Sequence, residues 1–210
     1  MPNRNASHRR GSRQRLEIAA EAARIMATEG QRSFLLAKQK AAERLGASAR
    51  QGLPSNAEIE AALRQWQQLY GGMELDQRLR ELRQAAMRAM NFLAPFRPRL
   101  VGPVLEGTAD EFSRISLHLF AEDPDAVVHF LLERGIPHSQ ERRRLRWHDG
   151  SHRHIDLLVV ETGGEVIELA ILVGREALQP LPSPVDGRPQ RRASLEEVRA
   201  MLEQDQSPQD

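Results

Sequence analysis

The sequence predicts an α+β fold, in which an N-terminal helical segment precedes a domain with a mixed β-sheet. Apolar residues recur at helical spacing up to about residue 94, and short apolar runs typical of strands follow. From residue 74 the predicted order is helix, two strands, helix and three strands, which is typical of α+β domains. The patterns indicate a basic arm over 1–12 and a helical segment over 13–73. An α+β domain over 74–173 and an irregular end over 174–210 follow.

The composition is that of a globular protein without disulfides. The 210 residues are 40% hydrophobic and 28% charged, with a formal net charge of +1. The absence of cysteine excludes thiolate metal sites and fits a cytoplasmic location. No apolar run reaches the roughly 18 residues of a transmembrane helix, so we expect no membrane partner.

Arginine is the main charged residue at the N-terminus. Arg4, Arg9 and Arg10 all precede Glu17, the first acidic residue. We expect residues 1–12 to form a disordered arm, because they are polar and lack an apolar pattern. Contact with the phosphates of a nucleic acid is the alternative.

Two helices are predicted over about 13–29 and 34–45, and Gly30 separates them. The second helix is rich in alanine and contains Lys38 and Lys40. This pattern is similar to that of DNA-binding helical bundles, but no third helix follows closely. A helical cap on the following domain is the favoured interpretation.

A third and a fourth helix complete the predicted helical segment and lead into the α+β domain. The third begins after Ser55, because Ser55 and Glu58 form a capping-box pattern. The fourth covers about 74–94 and has one sustained apolar stripe, formed by Leu75, Leu79, Leu82, Ala86 and Leu93. We expect this stripe to face a shared core.

Five strands are predicted, over about 100–105, 115–120, 141–147, 155–160 and 165–173. A helix over 123–134 separates the second strand from the third. The TGG sequence at 162–164 predicts a hairpin between the last two strands. Ser194 and Glu197 form a second capping-box pattern, which begins a short final helix.

The stretch 101–117, VGPVLEGTADEFSRISL, contains the most informative motif of the chain. It runs from an apolar residue and Gly102 through a spacer to a strand that reads SRISL. This spacing resembles the nucleotidyltransferase signature, in which Gly–Ser is followed by a strand that reads Ser–Asp–apolar–Asp–apolar. Pro103 stands at the position of the first serine, and Arg114 and Ser116 stand at the two aspartate positions.

The resemblance implies the small palm of nucleotidyltransferases over about 74–173, while the departures argue against metal-dependent transfer. Two residues that are two apart on a strand share a face, so paired aspartates can hold Mg²⁺ together. Arg114 instead places a positive charge where a cation would bind. We therefore expect no catalytic residue, no metal site and no cofactor.

A third carboxylate of a palm would lie on a later strand, and Glu168 and Asp156 are the candidates. A charged residue on the solvent face of a half-covered sheet is the alternative explanation for both. A single carboxylate cannot hold two Mg²⁺ ions, so a catalytic role for either would require different chemistry.

Three further segments, LAPFRPRLVGPV, LHLFAEDP and SPVDGRP, indicate a second resemblance. The whole chain resembles a group of proteobacterial proteins with no established function. That resemblance implies a fold rather than an activity.

Basic residues on and near the motif are the candidates for binding an anionic ligand. Arginines two apart on the third strand share a face and could add to the charge of the motif. The candidate ligand-binding residues are Gly102, Arg114, Ser116, Arg142, Arg144 and Arg146. A solvated edge strand, protected from pairing by its charge, is the favoured explanation of the strand arginines. The same two interpretations apply to Arg188, Arg191 and Arg192.

The sequence HDGSHRH has the composition of a metal site. His152 and His154 would share a strand face, and His148 could meet them across the turn. Asp149 and Gly150 are also a hairpin signal, and a polar turn explains every residue of the segment. We favour the solvated hairpin over a metal site.

The leading interpretation is a non-catalytic nucleotidyltransferase-fold protein with a binding or regulatory role. A nucleotide, a nucleic acid and a protein partner all remain open as its ligand. Two alternatives also remain open: an active nucleotidyltransferase with displaced carboxylates, and a helical adaptor whose palm serves only as a scaffold.

Overall fold

The computed structural model describes residues 4–47 and 52–205 and divides between Leu75 and Asp76 into two units. Residues 1–3 of the predicted basic arm and residues 206–210 of the predicted irregular end lie outside the described residues. The division falls close to the predicted boundary after residue 73. Each unit has its own apolar core.

The first unit is built on one long helix, α1 (Arg4–Glu29). It begins well before residue 13, so residues 4–12 extend the helix where the sequence predicts a disordered arm. Arginine and alanine are good helix formers, and this stretch contains no proline to stop a helix. Local helix propensity, rather than an apolar sequence pattern, therefore accounts for the first turns of α1.

Helices α2 (Phe34–Arg44) and α3 (Asn56–Tyr70) both pack on α1. Ser33 caps α2, and the predicted capping box of α3 is formed by Ser55 and Glu58. Alanine dominates the buried contacts and lets the helix backbones approach closely. The buried residues include Ile18, Ala22, Ala23, Ile25, Ala37, Ala41, Ile59 and Leu63.

The helix α4 (Gly72–Phe92) begins in the first unit and contributes an apolar stripe to the core of the second. Leu82, Ala86 and Leu93 are buried there, as the spacing predicts, and Leu79 is partly buried against them. Leu75 belongs to the first unit and is half-buried. The stripe thus serves as a core surface from Leu79 onward.

A mixed β-sheet of five strands forms the centre of the second unit and confirms the predicted α+β class. Strands β2 and β5 are parallel, and the other neighbours are antiparallel, in the order β1-β2-β5-β4-β3. The strands are β1 (Arg99–Val101), β2 (Ile115–Phe120), β3 (His138–Arg146), β4 (His152–Thr162) and β5 (Glu165–Leu172).

The first strand is shorter than the predicted range of 100–105. It ends at Val101, and the chain turns through Gly102 into a short helix, α5 (Pro103–Glu106). Gly102 has φ 73°, a conformation that favours glycine. Pro103 cannot donate to a strand ladder, but its fixed φ suits the first position of a helix.

The two faces of the sheet differ in what covers them. On the helix-covered face, α4, α6 (Pro124–Glu133) and α8 (Leu195–Gln204) pack on alternate strand residues such as Ile115, Leu117, Leu158 and Leu169. The opposite face contains Ser116, His118 and Glu168, and we call it the polar face. A smaller apolar cluster lies beside them, formed by Trp147, Leu157, Ala170, Leu172 and Leu181.

The chain after β5 belongs to the second unit and contains the short helix α7 (Arg175–Leu178) before α8. Ala193 forms an isolated bridge with Leu100, which attaches this segment to the edge of β1. Ser194 and Glu197 form the second predicted capping box. Within residues 4–47 and 52–205, no helix is both long and apolar enough to cross a membrane.

Candidate functional site

Two residues of the altered motif meet a buried carboxylate on the polar face. Strands β2 and β5 run in parallel, and Ser116 is the register partner of Glu168. The Glu168 carboxylate is 2% exposed, and its Oε1 accepts a hydrogen bond of 3.1 Å from Nη1 of Arg114. Ser116 Oγ donates to the other oxygen, Oε2, at 3.4 Å. Arg114 and Ser116 therefore converge on Glu168.

Strand β3 adds two charged residues to this group. Nη2 of Arg143 donates to Oε1 of Glu168 at 2.7 Å, and Nη1 of Arg114 donates to Oε1 of Glu141 at 2.9 Å. We call these five residues the Glu168 cluster: Arg114, Ser116, Glu141, Arg143 and Glu168. Two guanidinium groups and two carboxylates balance in charge, while only Glu168 is fully buried.

Gly102 lies beside the cluster because β1 pairs with β2, with Val101 opposite Ser116. A Cβ atom added at Gly102 would lie 3.8 Å from Ser116 Oγ. The requirement for glycine comes from the positive φ of 73° rather than from a clash. The structure thus brings Gly102, Arg114 and Ser116 together, as the motif spacing predicts.

The environment of Arg114 keeps its guanidinium charged. Burial lowers the pKa of Arg114, but hydrogen bonds and charges from Glu141 and Glu168 outweigh burial and raise it above its ordinary value. The permanent positive charge lies where the resemblance would place a metal-binding aspartate. A guanidinium in this place repels a divalent cation and attracts an anion.

A second polar group lies two residues further along β2. Nε of Arg192 donates to Nδ1 of His118 at 3.2 Å, while Nη1 and Nη2 donate to the carbonyl oxygens of Ala177 and Gln179. Burial first, and then the charge of Arg192, lower the pKa of His118 from 6.5 to about 3. His118 is therefore neutral at ordinary pH, with Nδ1 as the acceptor and the ring proton on Nε2.

Positive and negative charges both lie near this second group, because the carboxylates of Glu196 and Glu197 are close enough to Arg99 to interact with its charge. Burial and the charge of Arg99 together lower the pKa of Arg192. Arg99 is the register partner of His118 on β1. The carbonyl oxygens and the imidazole nitrogen that hold Arg192 are neutral, so they do not cancel its charge.

The remaining candidate residues lie elsewhere. Arg142, Arg144 and Arg146 alternate with Glu141, Arg143 and Leu145 along β3, so they project from the opposite side of the sheet and are exposed. Asp156, a candidate third carboxylate, is on that same side and accepts from Nε of Arg142 at 3.2 Å. Arg142, Arg144 and Arg146 thus form an exposed basic stripe, but this stripe is not next to Arg114 and Ser116.

The HDGSHRH segment forms the hairpin that its turn signal predicts. Trp147 N donates to Ser151 O at 2.7 Å, and Asp149 Oδ1 accepts from the backbone and hydroxyl of Ser151. His148 Nε2 is 3.0 Å from the Pro180 carbonyl oxygen. Across the residues that the structure describes, no three histidine, aspartate or glutamate side chains are grouped so that they could hold a metal ion.

The lysines of α2 are engaged within the first unit. Lys38 Nζ donates to the carbonyl oxygen of Pro54 at 2.7 Å and to Oδ1 of Asn56 at 2.8 Å. Lys40 and Arg44 both bind Glu29. The hydrogen bond from Arg44 and then that from Lys40 lower the pKa of Glu29 to about 2. These contacts agree with a structural role for α2.

Sequence reasoning missed Glu141, Arg143 and His118 as members of the polar face, and it considered Arg192 only as part of a separate basic patch. For Arg143 a signal existed. Leu145 and Trp147 lie two and four residues after it and therefore on the same face of the strand, and apolar residues on an otherwise charged strand indicate the face that packs against the protein. For Arg192 no local signal existed, because its partner His118 is 74 residues away in the sequence.

Comparison of this chain with family models, curated proteins and solved structures finds no significant match.

Proposed function

We propose that the second unit binds a nucleotide or a similar phosphate ester on its polar face, without Mg²⁺ and without turnover. The observation that supports this most directly is the Arg114 guanidinium, which lies against Glu168 at the position of the first motif aspartate. In an active palm, metal ions offset the charge of the phosphates. Here arginines supply that positive charge.

The donors that such a ligand needs are present. Arg114 donates to Glu141 and Glu168 through Nη1, and Arg143 donates to Glu168 through Nη2, while a guanidinium has five N–H groups in all. Side chains of both residues are partly exposed, at 28% and 39%. Guanidinium groups fit phosphate because two N–H groups can donate in parallel.

The role of Glu168 in this proposal is to position the two guanidinium groups. Its buried carboxylate fixes one nitrogen of each arginine and leaves the outer nitrogens directed elsewhere. Its charge also limits affinity, because two carboxylates balance the two arginines. Arg192, whose hydrogen-bond acceptors are neutral, adds a positive charge to the same face and favours an anionic ligand over a neutral one.

The alternative of an active transferase has less support. Glu168 is already bonded to two arginines, and Asp156 lies on the other side of the sheet. Two Mg²⁺ ions would need several hard oxygen ligands in one place. Within the Glu168 cluster, each carboxylate is instead paired with a guanidinium.

Calorimetric titration with nucleoside mono-, di- and triphosphates in the presence of a chelator tests the proposal. Wild-type protein should bind at least one of them, and Arg114→Gln should weaken binding at least about tenfold, the equivalent of one charge-assisted hydrogen bond. Arg144→Gln is the matched control, since it removes the same charge from the opposite side of the sheet. Absence of binding, binding only with Mg²⁺, or equal losses in both variants would refute the proposal.

A further inference from the structure

The β3–β4 hairpin extends beyond the sheet as a two-stranded ribbon. Strand β4 pairs with β5 only from Leu157 to Thr162, whereas its pairing with β3 continues to His152. We define the ribbon as residues 141–146 of β3 and 152–156 of β4. Its two faces have different surroundings, because successive residues point to opposite sides.

The inner face of the ribbon is occupied by contacts within the protein. Leu145 and Ile155 pack against the apolar cluster around Trp147, and Arg143 binds Glu168. The guanidinium of Arg153 lies 4.3 Å from the centre of the Trp147 ring and also donates to Asp149. These contacts hold the ribbon in place as a preformed surface.

The outer face of the ribbon is strongly basic. It consists of three cross-strand pairs, Arg142 with Asp156, Arg144 with His154, and Arg146 with His152. All six residues are exposed. Asp156 is the one acidic residue among them and binds Arg142. Arg144 and Arg146 have no hydrogen bond or ion pair to any residue in the described ranges.

We infer that this outer face binds duplex DNA, mainly through its phosphates. Arginines at alternate positions are spaced by about 7 Å along a strand, and each can donate in parallel to a phosphate group. A two-stranded ribbon fits the major groove of B-form DNA, which is about 12 Å wide. The site lies on the opposite side of the sheet from the Glu168 cluster, so this function is separate from nucleotide binding.

The chemistry of the outer face favours duplex DNA over other anionic partners. The six side chains include no apolar residue that could form the core of a protein interface or enter a lipid surface. Single-stranded nucleic acids are typically held by stacking on aromatic rings, and this face has neither phenylalanine, tyrosine nor tryptophan. The major groove of duplex RNA is too deep and narrow for side chains to read.

Fluorescence anisotropy with the full chain and a labelled duplex of arbitrary sequence, over 50–200 mM salt, tests the inference. The triple variant Arg142→Gln, Arg144→Gln, Arg146→Gln should bind at least about tenfold more weakly at 100 mM salt. The slope of log affinity against log salt should become shallower by about 2.7, since each phosphate contact contributes about 0.9 for B-form DNA.

Two further variants make the result specific. The matched control replaces Arg88, Arg191 and Arg199, which are exposed elsewhere in the second unit, and removes the same total charge. It should keep most of the affinity and the slope of the wild type. A triple lysine variant at 142, 144 and 146 preserves the charge and should also retain binding. Thermal melting shows whether each variant is folded.

Four outcomes would overturn the inference. These are no binding by the wild type, an equal loss in the control variant, loss of binding by the lysine variant while it remains folded, and tighter binding to another partner. The other partners to compare are single-stranded DNA, duplex RNA and vesicles that contain anionic lipid.

Discussion

Arg143 on β3 reaches across β4 and donates a hydrogen bond of 2.7 Å to Glu168 on β5. The contact connects strands that are not neighbours and satisfies a carboxylate that is almost completely buried. A buried carboxylate is costly unless it is paired and hydrogen-bonded. The stability of the sheet therefore depends on an arginine that the adjacent arginines of β3 cannot replace.

We expect Arg143→Met to lower the free energy of unfolding by about 1–2 kcal/mol. The loss is in the lower part of the range for an unsatisfied buried group, because Arg114 still donates to Glu168. Arg144→Met removes the same charge at the next position, which is exposed, and should change stability by less than about 0.5 kcal/mol. Urea unfolding of both variants measures the difference; equal effects would mean that Glu168 does not depend on Arg143.

His118 should make the protein less stable as the pH falls below neutrality. Burial and the charge of Arg192 lower its folded pKa from 6.5 to about 3, so between these values the unfolded chain binds the extra proton. The contribution of neutral His118 to the free energy of unfolding is fully present above pH 6.5 and decreases as the pH falls from 6.5 towards 3. From pH 7 to pH 5 the expected loss is about 2 kcal/mol.

His118→Gln tests this assignment because glutamine does not titrate and its amide oxygen can still accept from Arg192. Between pH 7 and pH 5, the free energy of unfolding of the wild type should fall by about 2 kcal/mol more than that of the variant. Chemical denaturation at each pH provides the measurement. Parallel pH profiles for the two proteins would show that His118 is not the group responsible.

Leu82→Ala should destabilise the second unit by about 2–5 kcal/mol, through lost apolar burial and the cavity that remains. Leu82 is 0% exposed and lies in the core between α4 and the sheet. Leu132→Ala on α6 is the control, because Leu132 is 60% exposed. A cost for Leu82→Ala as small as that of the control would place the stripe of α4 outside the core.

Restoring the two motif aspartates should create a metal site if the palm resemblance is correct. In the double variant Arg114→Asp, Ser116→Asp, both new carboxylates would lie near Glu168, on the neighbouring strand. Mn²⁺ should then raise its melting temperature and leave that of the wild type unchanged. The control adds carboxylates at Ser139 and Arg191, which lie near opposite edges of the sheet. A folded double variant with no response to Mn²⁺ would contradict the prediction.

The helices and strands of this chain were largely predictable because their signals are local. Both capping boxes, the TGG hairpin and the limits of β2 follow from residues within one element, and the structure confirms them. Other strand limits were predicted less well. β1 ends at Val101, because Pro103 at a helix start overrides an apolar run that is typical of a strand, and β3 and β4 each begin three residues before their predicted starts. The α1 start was also misjudged, since its polar first turns have helical propensity without apolar periodicity.

The candidate site was only half predictable, because it depends on which strands become neighbours. The motif spacing placed Gly102, Arg114 and Ser116 together, since they belong to adjoining segments. Membership of Arg143 depends on the order of β5, β4 and β3, and that of Arg192 on a long return of the chain. The parity of Leu145 and Trp147 indicates which face of β3 Arg143 takes, but no local pattern shows that this face meets Glu168 or that Arg192 meets His118.

The alternation of side chains along β3 also limits how the length of this hairpin can change. Inserting or deleting one residue within β3 would exchange its two faces over part of the strand. Leu145 would then face water, while Arg142 and Arg144 would take the side of Glu168. Adding or removing two residues preserves both faces. Length variants within β3, whether in natural relatives or in a selected library, should therefore differ by even numbers of residues.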